Sequence, residues 1–149
     1  MRISVASPVG PLLVEEAGGR LVRLTWSRAE PEGGSDLLDR AAAQLAEYFA
    51  GVRQVFDLPL ALSAGLTGEV QRAMLAIPFG ETTTYGAIAR RLGVPAQAVG
   101  QACGANPLPV IVPCHRVLGA TGLGGFSAAG GVETKVFLLR REGAAGLLI

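Results

Sequence analysis

The chain has 149 residues, is 50% hydrophobic and 17% charged, and carries a formal net charge of +1. That length suits one domain, or two small ones that share a core, and no apolar run approaches the roughly 20 residues that span a bilayer. Two cysteines and a single histidine exclude a disulfide scaffold and a four-ligand structural zinc site, because each needs more of these side chains.

The first residues predict a small antiparallel sheet. Short apolar segments, the first of them alternating, are separated by turn-forming proline and glycine residues. The predicted strands cover residues 2–6, 12–14 and 21–26. Because such short connections join neighbouring strands as hairpins, we expect the strands to pair antiparallel.

A helix is predicted after this sheet. Ser35 is placed to cap a helix that runs from Asp36 to about Ala50, and apolar residues recur along it at helical spacing. Residues 55–60 are compatible with a further strand. Residues 63–67 have the composition of a linker, so we place a domain boundary there, with an N-terminal domain over 1–63 and a C-terminal domain over 64–149.

The C-terminal domain begins with a helical region. We predict three helices: residues 67–77, residues from Thr83 or Thr84 to Leu92, and residues from Pro95 to about Ala105. Gly93 supplies a turn between the second and third of them, which is the spacing of a helix-turn-helix. By itself this pattern is weak evidence for DNA binding, because short helix pairs joined by glycine are common.

A proline-flanked apolar run leads to Cys114. Residues 108–112 are mainly β-branched or apolar, and prolines with fixed φ surround them, so we predict a short buried strand there. A nucleophile at the end of such a strand would be aimed rigidly. A glycine-rich loop over 119–131 and a final helix over 133–141 complete the predicted elements.

Positive charge is concentrated in the C-terminal domain. Residues 1–63 hold six arginines against eight carboxylates, whereas residues 64–149 hold seven arginine or lysine residues against four carboxylates. This excess is modest by the standard of DNA-binding domains. The N-terminus has no signal-peptide pattern, and the two cysteines do not form a disulfide scaffold. We therefore expect a cytoplasmic protein.

Cys114 beside His115 is the leading candidate for chemistry. A free thiol near pKa 8.5 is only slightly ionised at neutral pH, and a neighbouring imidazole raises the thiolate fraction. Adjacent residues on an extended segment point to opposite sides, so a bridging water or a kink after Pro113 would be needed. A buried, inert cysteine next to a hydrogen-bonded histidine is the alternative. We interpret Cys103, among small residues of a predicted helix, as a packing residue.

The segment from Asn106-Pro107 to Pro113-Cys114-His115-Arg116-Val117 resembles the active-site signature of the O6-alkylguanine-DNA alkyltransferases, also called methylated-DNA–protein-cysteine methyltransferases. The likeness covers nearly the whole chain. Further matching segments are Ser7–Gly10, Ile77–Tyr85, Ala98–Gly100, Phe126-Ser127, Gly130–Lys135 and Leu138–Glu142. The resemblance implies an α/β (α+β) fold, with a small N-terminal antiparallel-sheet domain with a helix and a C-terminal winged helix-turn-helix-like alkyltransferase domain.

The function that the resemblance implies is direct-reversal DNA repair. Proteins of this family flip an O6-alkylated guanine out of duplex DNA, and their cysteine takes the alkyl group irreversibly in a single turnover. The sequence leaves open whether O4-alkylthymine is accepted as well. The resemblance implies a monomer that binds alkylated double-stranded DNA in the minor groove through the second helix of its helix-turn-helix, without a membrane, a metal or another cofactor.

The resemblance also assigns roles to residues of this chain. Cys114 is the acceptor, His115 its base through a water, Glu142 the carboxylate that orients His115, and Asn106 the brace of the turn behind the site. The residues implied in substrate or DNA binding are Tyr85, Gln97, Ala98, Gly100, Arg116, Val117, Phe126 and Ser127. Of these, Tyr85 would donate to the flipped base or its phosphate, and Val117, Phe126 and Ser127 would line the guanine pocket.

Three positions of the predicted DNA-binding helix depart from the family pattern. Gln97 stands where the family commonly places an arginine in the base stack, Gln101 where a small residue is usual, and Gly104 where a basic phosphate contact is often found. The loss of a positive charge at Gln97 and at Gly104 predicts weaker, strongly salt-dependent binding. The loop between Gly122 and Lys135 also differs in length from that of many relatives.

Two other functions are compatible with the same residues. One is a non-catalytic protein of the same fold that binds alkylguanine lesions and flags them for other repair. Such relatives lack the cysteine that is present here as Cys114. The other is a winged-helix regulator with a redox cysteine, which would bind unmodified DNA in a sequence-specific way.

Overall fold

The computed structural model describes residues 1–126 and 130–144. The chain divides into two compact units, Met1–Ala61 and Leu62–Ile149. Strands and helices occur in both units, which confirms the predicted α/β class. Among the described residues, no helix combines the length and the apolar character needed to cross a membrane.

The first unit is a three-stranded antiparallel sheet with one helix. Its elements are β1 (Arg2–Val5), β2 (Leu12–Ala17), β3 (Arg20–Trp26) and α1 (Asp36–Phe49). The strand order is β1-β2-β3, so each strand pairs with its neighbour in sequence, as predicted. Gly18 and Gly19 join β2 to β3 with φ values of +60° and +76°, a backbone conformation that glycine adopts without a steric penalty.

The predicted N-cap of α1 is confirmed. The Ser35 hydroxyl accepts a hydrogen bond from the Leu38 backbone N–H at 3.1 Å and donates one to the Glu16 carboxylate at 2.6 Å. The cap therefore satisfies an otherwise unpaired helix donor and ties α1 to the sheet. Apolar side chains of the sheet and of α1 are fully buried and form the core of this unit: Leu12, Val14, Leu21, Leu38 and Leu45.

The strand proposed for residues 55–60 is wrong. Only Leu60 pairs, through an isolated bridge to Leu21. The backbone N–H of Leu21 donates to Pro59 and the N–H of Ala61 donates to Leu21, each at 2.9 Å. Residues 55–58 are held instead by side chains, since Gln44 bonds both the N–H and the carbonyl of Asp57.

The second unit is mainly helical. Its helices are α2 (Gly65–Leu75), α3 (Tyr85–Leu92), α4 (Ala96–Gly104) and α5 (Val132–Arg141), with a 3-10 turn at Cys114–Arg116. Two short strands, β4 (Thr83–Thr84) and β5 (Val117–Leu118), pair in parallel. This pairing joins the start of α3 to the segment that follows Cys114, so it brings two distant parts of the sequence together.

The predicted helix pair α3–α4 is present. The Thr84 hydroxyl caps α3 by accepting from the Ala87 N–H at 3.0 Å, and Gly93 ends the helix with φ +71°. Pro95 directly precedes α4, where its missing N–H costs no hydrogen bond. The turn residues that indicated a helix-turn-helix therefore occupy the positions expected of them.

The strand predicted for residues 108–112 is wrong, although its burial is as expected. The segment closes on itself as a turn, with the Val112 N–H donating to the Leu108 carbonyl at 2.8 Å. Val110 takes φ +73°, which is rare for a β-branched residue. Prolines at 107, 109 and 113 remove the N–H groups that a strand ladder needs, so the apolar run packs as a turn.

Candidate active site

Cys114 begins the 3-10 turn and is almost completely buried, with 7% of its surface exposed. Its backbone N–H donates to Val112 at 2.8 Å, and the Arg116 N–H donates to Pro113 at 3.0 Å. Pro113 has ψ +67°, so the chain bends there and does not continue as an extended strand. The chain therefore has the kink after Pro113 that the sequence analysis expected if the side chains of Cys114 and His115 are to act together.

Asn106 ties the turn before Cys114 to α2. Its amide donates to the Val112 carbonyl at 3.1 Å, and its oxygen accepts from the Leu108 N–H and from the Gln71 side chain, each at 3.1 Å. Both side chains are buried. Because three hydrogen bonds meet at the Asn106 side chain, the loop that ends at Cys114 is held in place.

Behind the cysteine, His115 and Arg116 share the carboxylate of Glu142. His115 Nε2 lies 2.7 Å from Glu142 Oε2, while Arg116 donates through Nε and Nη2 at 2.8 and 3.0 Å. Arg116 Nη1 also donates to the Ile77 carbonyl at 2.6 Å. All three side chains are buried. Glu142 directly follows α5, so that helix brings the carboxylate to the 3-10 turn.

The network sets the protonation state of its members. Burial alone would raise the pKa of Glu142, but the hydrogen bonds from His115 and Arg116 outweigh it and bring the pKa to about 2. Burial lowers the pKa of His115, although Glu142 opposes it. At neutral pH the pair is therefore an ionised carboxylate and a neutral imidazole.

This state assigns the histidine tautomer. A carboxylate only accepts hydrogen bonds, so Nε2 must carry the proton that joins His115 to Glu142. Nδ1 then holds a lone pair. Nδ1 is buried and has no hydrogen-bond partner among the described residues. The site thus contains a buried imidazole nitrogen that is ready to accept a proton.

Cys114 opens into a cavity of about 490 Å³. The residues that line it are Tyr85, Gly100, Cys103, Gly104, Cys114, Gly125 and Phe126. Its size is that of small-molecule sites, roughly 300–1,000 Å³. Burial raises the pKa of the Cys114 thiol, against the lowering effects of the Asn106 side chain and of Lys135, so the resting group is the thiol.

Lys135 is fully buried and lies beside Tyr85, which lines the cavity. Lys135 Nζ donates to the Val117 carbonyl at 2.6 Å and to the Gly125 carbonyl at 3.1 Å, and it lies 5.7 Å from the centre of the Tyr85 ring. Gly124 packs against the same ring, where a Cβ would come within 2.8 Å of it. These contacts hold the phenol next to the cavity.

The structure brings most of the predicted residues together and places some of them differently. Cys114, Tyr85, Gly100 and Phe126 line the cavity. Val117 is buried and offers its carbonyl to Lys135, and Ala98 is half-buried on α4. Gln97 lines an adjoining groove. Ser127 lies outside the described residues.

Arg116, which was predicted in the DNA- or substrate-binding set, has a buried side chain. Its guanidinium is 8% exposed and makes its hydrogen bonds to Glu142 and Ile77, so it is directed into the protein. A charge that is buried and paired in this way orients its carboxylate partner. The structure therefore gives Arg116 the position of a supporting residue behind the histidine.

Sequence reasoning also missed two residues of the site. Lys135 has no predicted role in the site, although it is the single lysine of the chain. Cys103 was interpreted as packing; its sulfur does contact Met74 Sδ at 3.7 Å, but the residue also lines the cavity. Among the described residues, no three His, Cys, Asp or Glu side chains are grouped so that they could hold a metal ion.

Comparison with known families covers both units. Residues 66–144 match the 6-O-methylguanine DNA methyltransferase, DNA binding domain, and residues 2–62 match the ribonuclease-like domain of the same methyltransferase. The chain belongs to the 6-O-methylguanine DNA methyltransferase family. The resemblance drawn from the sequence is thereby confirmed.

Individual relatives of this methyltransferase family match along nearly their whole length. The methylated-DNA–protein-cysteine methyltransferase of Methanosarcina acetivorans is 40% identical, over 93% of this chain and 95% of that protein. The Mycobacterium tuberculosis O6-methylguanine methyltransferase crystal structure has a TM-score of 0.84 and 37% identity, and covers 99% of this chain and 95% of its own. The crystal structure of Mycobacterium tuberculosis OGT in complex with DNA has a TM-score of 0.82 and 42% identity, over 94% and 91%. As a family member, the chain is a DNA-binding methyltransferase of DNA repair.

Proposed function

We propose that this methyltransferase removes the alkyl group from O6-alkylguanine in duplex DNA and transfers it irreversibly to Cys114. The observation that carries the proposal is the position of Cys114, a thiol that lines a cavity of about 490 Å³ and is next in sequence to a neutral, buried histidine. A base in a duplex cannot reach such a sulfur, so the alkylated guanine must be flipped into the cavity.

The proton of the thiol leaves toward His115. As the sulfur attacks the alkyl carbon, the S–C bond forms and the bond from that carbon to guanine O6 breaks. The thiol proton passes through a water to His115 Nδ1, whose lone pair is buried and unpartnered among the described residues. Glu142 stabilises the imidazolium that results, because its carboxylate lies 2.7 Å from Nε2. The guanine leaves with the electron pair of the broken bond, and the Tyr85 hydroxyl donates a hydrogen bond to it. The proton held by His115 then returns through water to the guanine, which leaves a neutral base and a neutral imidazole.

A single turnover follows from the product. The thioether on Cys114 is stable, and regeneration would need a second nucleophile. The other thiol of the cavity, Cys103, has a pKa raised to about 12, chiefly by burial, so it stays protonated and does not displace the alkyl group. The protein is therefore consumed, one molecule for each lesion.

DNA contact is assigned to α4. Its exposed side carries Ala96, Gln97, Gly100 and Gln101, which line a groove of about 600 Å³ together with Tyr85 of the cavity. Small side chains let a helix approach the minor groove closely, and Gln97 is placed to fill the gap that a flipped base leaves in the stack. The protein acts as a monomer in this scheme.

Intact-protein mass after incubation with O6-methylguanine duplex tests the proposal. We expect the mass to rise by one methyl group per protein, and peptide mapping to place that group on Cys114. An unmethylated duplex of the same sequence is the control. Tight binding of the lesion with no mass gain would instead indicate a lesion-binding protein, and tight binding to a particular unmodified sequence would indicate a regulator.

The pH profile of transfer tests the role of His115. Burial holds the pKa of His115 below its usual 6.5, so the imidazole stays a neutral base as the pH falls to that value. We expect a rate that is nearly constant between pH 6.5 and about 8 and that declines only in more acidic solution. His115→Gln should transfer about 10²- to 10⁴-fold more slowly at neutral pH.

The pH dependence of transfer by His115→Gln shows whether His115 is the base. Without the base, transfer depends on thiolate formed by bulk hydroxide, so the rate of His115→Gln should climb about tenfold per pH unit. Single-turnover rates with methylated duplex at each pH measure both profiles. A parallel pH dependence in the two proteins would contradict the proposed proton route.

Gly104 provides a test of the DNA-binding face. It is exposed at the end of α4, and no atom lies within 4 Å of the position that a Cβ would take. We expect Gly104→Arg to tighten duplex binding and to steepen its dependence on log salt by about 0.9, the value for one added phosphate contact. Gly104→Ala is the control, because it raises the helix propensity at this position without adding a charge. Equal salt slopes in the two variants would argue against α4 as the DNA-binding helix.

A further inference from the structure

A second concave surface adjoins the cavity of Cys114. It is an open groove of about 600 Å³, lined by Tyr85, Gly86, Ala96, Gln97, Gly100, Gln101 and Ala120. Tyr85 and Gly100 line both the groove and the cavity. The groove is therefore the surface next to which the neighbours of a base in the cavity would lie.

The helix that forms this groove carries no charge. The nine residues of α4 are Ala-Gln-Ala-Val-Gly-Gln-Ala-Cys-Gly, and Gln97 and Gln101 are its exposed hydrogen-bonding side chains. They are four residues apart, so they lie on one face about 6 Å from each other along the axis. Gly100 lies beside Gln101 with no atom within 4 Å of a Cβ position, which leaves room for a close approach.

Gln101 lines the groove and is next in sequence to Gly100, which lies at the rim where the groove meets the cavity. On the proposed function, on which this inference rests, the nucleotide pair next to the flipped guanine lies over that rim. We propose that Gln101 reads this neighbouring pair, by accepting a hydrogen bond from the 2-amino group of a guanine in the minor groove, and so gives the protein a preference for a flanking G·C pair.

The chemistry of the amide supports this specificity. In the minor groove, only a G·C pair offers a donor, the guanine 2-amino group, whereas A·T pairs offer acceptors alone. A glutamine side chain has an oxygen that accepts such a hydrogen bond. Lysine and arginine have donors only, so a basic residue at this position would bind phosphates and would not select guanine.

Inosine provides a probe for this contact. An I·C pair differs from G·C in the minor groove by the loss of the 2-amino group alone. Second-order transfer rates are measured on O6-methylguanine duplexes with G·C or I·C on the 5′ or 3′ side of the lesion. We expect wild-type protein to favour G·C on one side by about fivefold, the equivalent of about 1 kcal/mol for one hydrogen bond.

Three variants of Gln101 test whether the preference for G·C comes from the glutamine side chain or from the DNA itself. Gln101→Ala and Gln101→Lys lack the acceptor and should lose the preference, while Gln101→Lys gains overall affinity from its charge. Gln101→Glu keeps an acceptor and should keep the preference, although its charge weakens binding. Thermal unfolding of each variant checks that α4 is intact.

The outcomes are distinct. Equal rates on G·C and I·C with wild-type protein would overturn the inference and leave the proposed function in place. A preference of the same size in Gln101→Ala would also overturn it, because the difference would then come from the DNA. Absence of transfer from every duplex would overturn the proposed function and this inference with it.

Discussion

Replacing Cys114 by serine should abolish methyl transfer, with a loss of more than about 10³-fold, while duplex binding persists. The reason is chemical, since a hydroxyl is a much poorer nucleophile toward an alkyl carbon than a soft thiolate. The change is small in volume and the residue makes its turn through backbone hydrogen bonds, which serine can form equally well. Intact mass and duplex binding, measured on the same preparation, test both parts.

Cys103→Ser is the matched control for this variant. It makes the same atomic change in the same cavity, at a thiol whose pKa of about 12 keeps it protonated. We expect Cys103→Ser to gain a methyl group on Cys114, and Cys114→Ser to gain none. A methyl group found on Cys103, or continued transfer by Cys114→Ser, would refute the assignment of the acceptor. Loss of both transfer and DNA binding in Cys114→Ser would mean that the residue is structural.

Replacing Glu142 by glutamine should impair both stability and transfer. The carboxylate is buried and pairs with His115 and Arg116, so its loss leaves the buried guanidinium without a counter-charge. Breaking such a pair costs about 3 to 5 kcal/mol of the free energy of unfolding. Transfer should also slow at saturating DNA, because the imidazolium formed at His115 loses the anion that stabilises it.

The acid dependence of stability gives Glu142→Gln a specific signature. The folded-state pKa of Glu142 is about 2, below its ordinary 4.5, so its contribution is complete above pH 4.5 and is lost as the pH falls toward 2. That loss amounts to about 3 kcal/mol in the wild-type protein. Chemical denaturation across this range should show it in wild type and in Glu133→Gln, an exposed control, and not in Glu142→Gln. An unchanged acid profile in Glu142→Gln would contradict the network.

Much of the helical framework could be predicted from local signals. Ser35 and Thr84 cap helices, and Gly93 and Pro95 separate α3 from α4, as their side chains and backbone preferences predict. These features depend on atoms within a few residues of each other, which is why a single sequence reveals them. The segment at residues 108–112 was wrongly predicted because burial favours both a strand and a packed turn. The choice depended on whether a partner strand was available.

The residues of the site also divide into those that local sequence could predict and those that depend on tertiary contacts. The sequence by itself was enough to propose the nucleophile and its base, because Cys114 lies in a specific motif and His115 is the only histidine of the chain. It also limited the orienting carboxylate of the C-terminal domain to four glutamates, and the resemblance pointed to Glu142.

Only the tertiary structure decided what surrounds those residues. It turned Arg116 inward onto Glu142, placed Lys135 against Val117, Gly125 and Tyr85, and opened Cys103 and Gln101 onto two adjoining concave surfaces. These contacts join residues 10 to 50 positions apart, and their energies come from burial and pairing in three dimensions. The composition of α4 shows from the sequence that this helix is uncharged, but only the folded protein shows that Gln97 and Gln101 line the groove beside the cavity of Cys114.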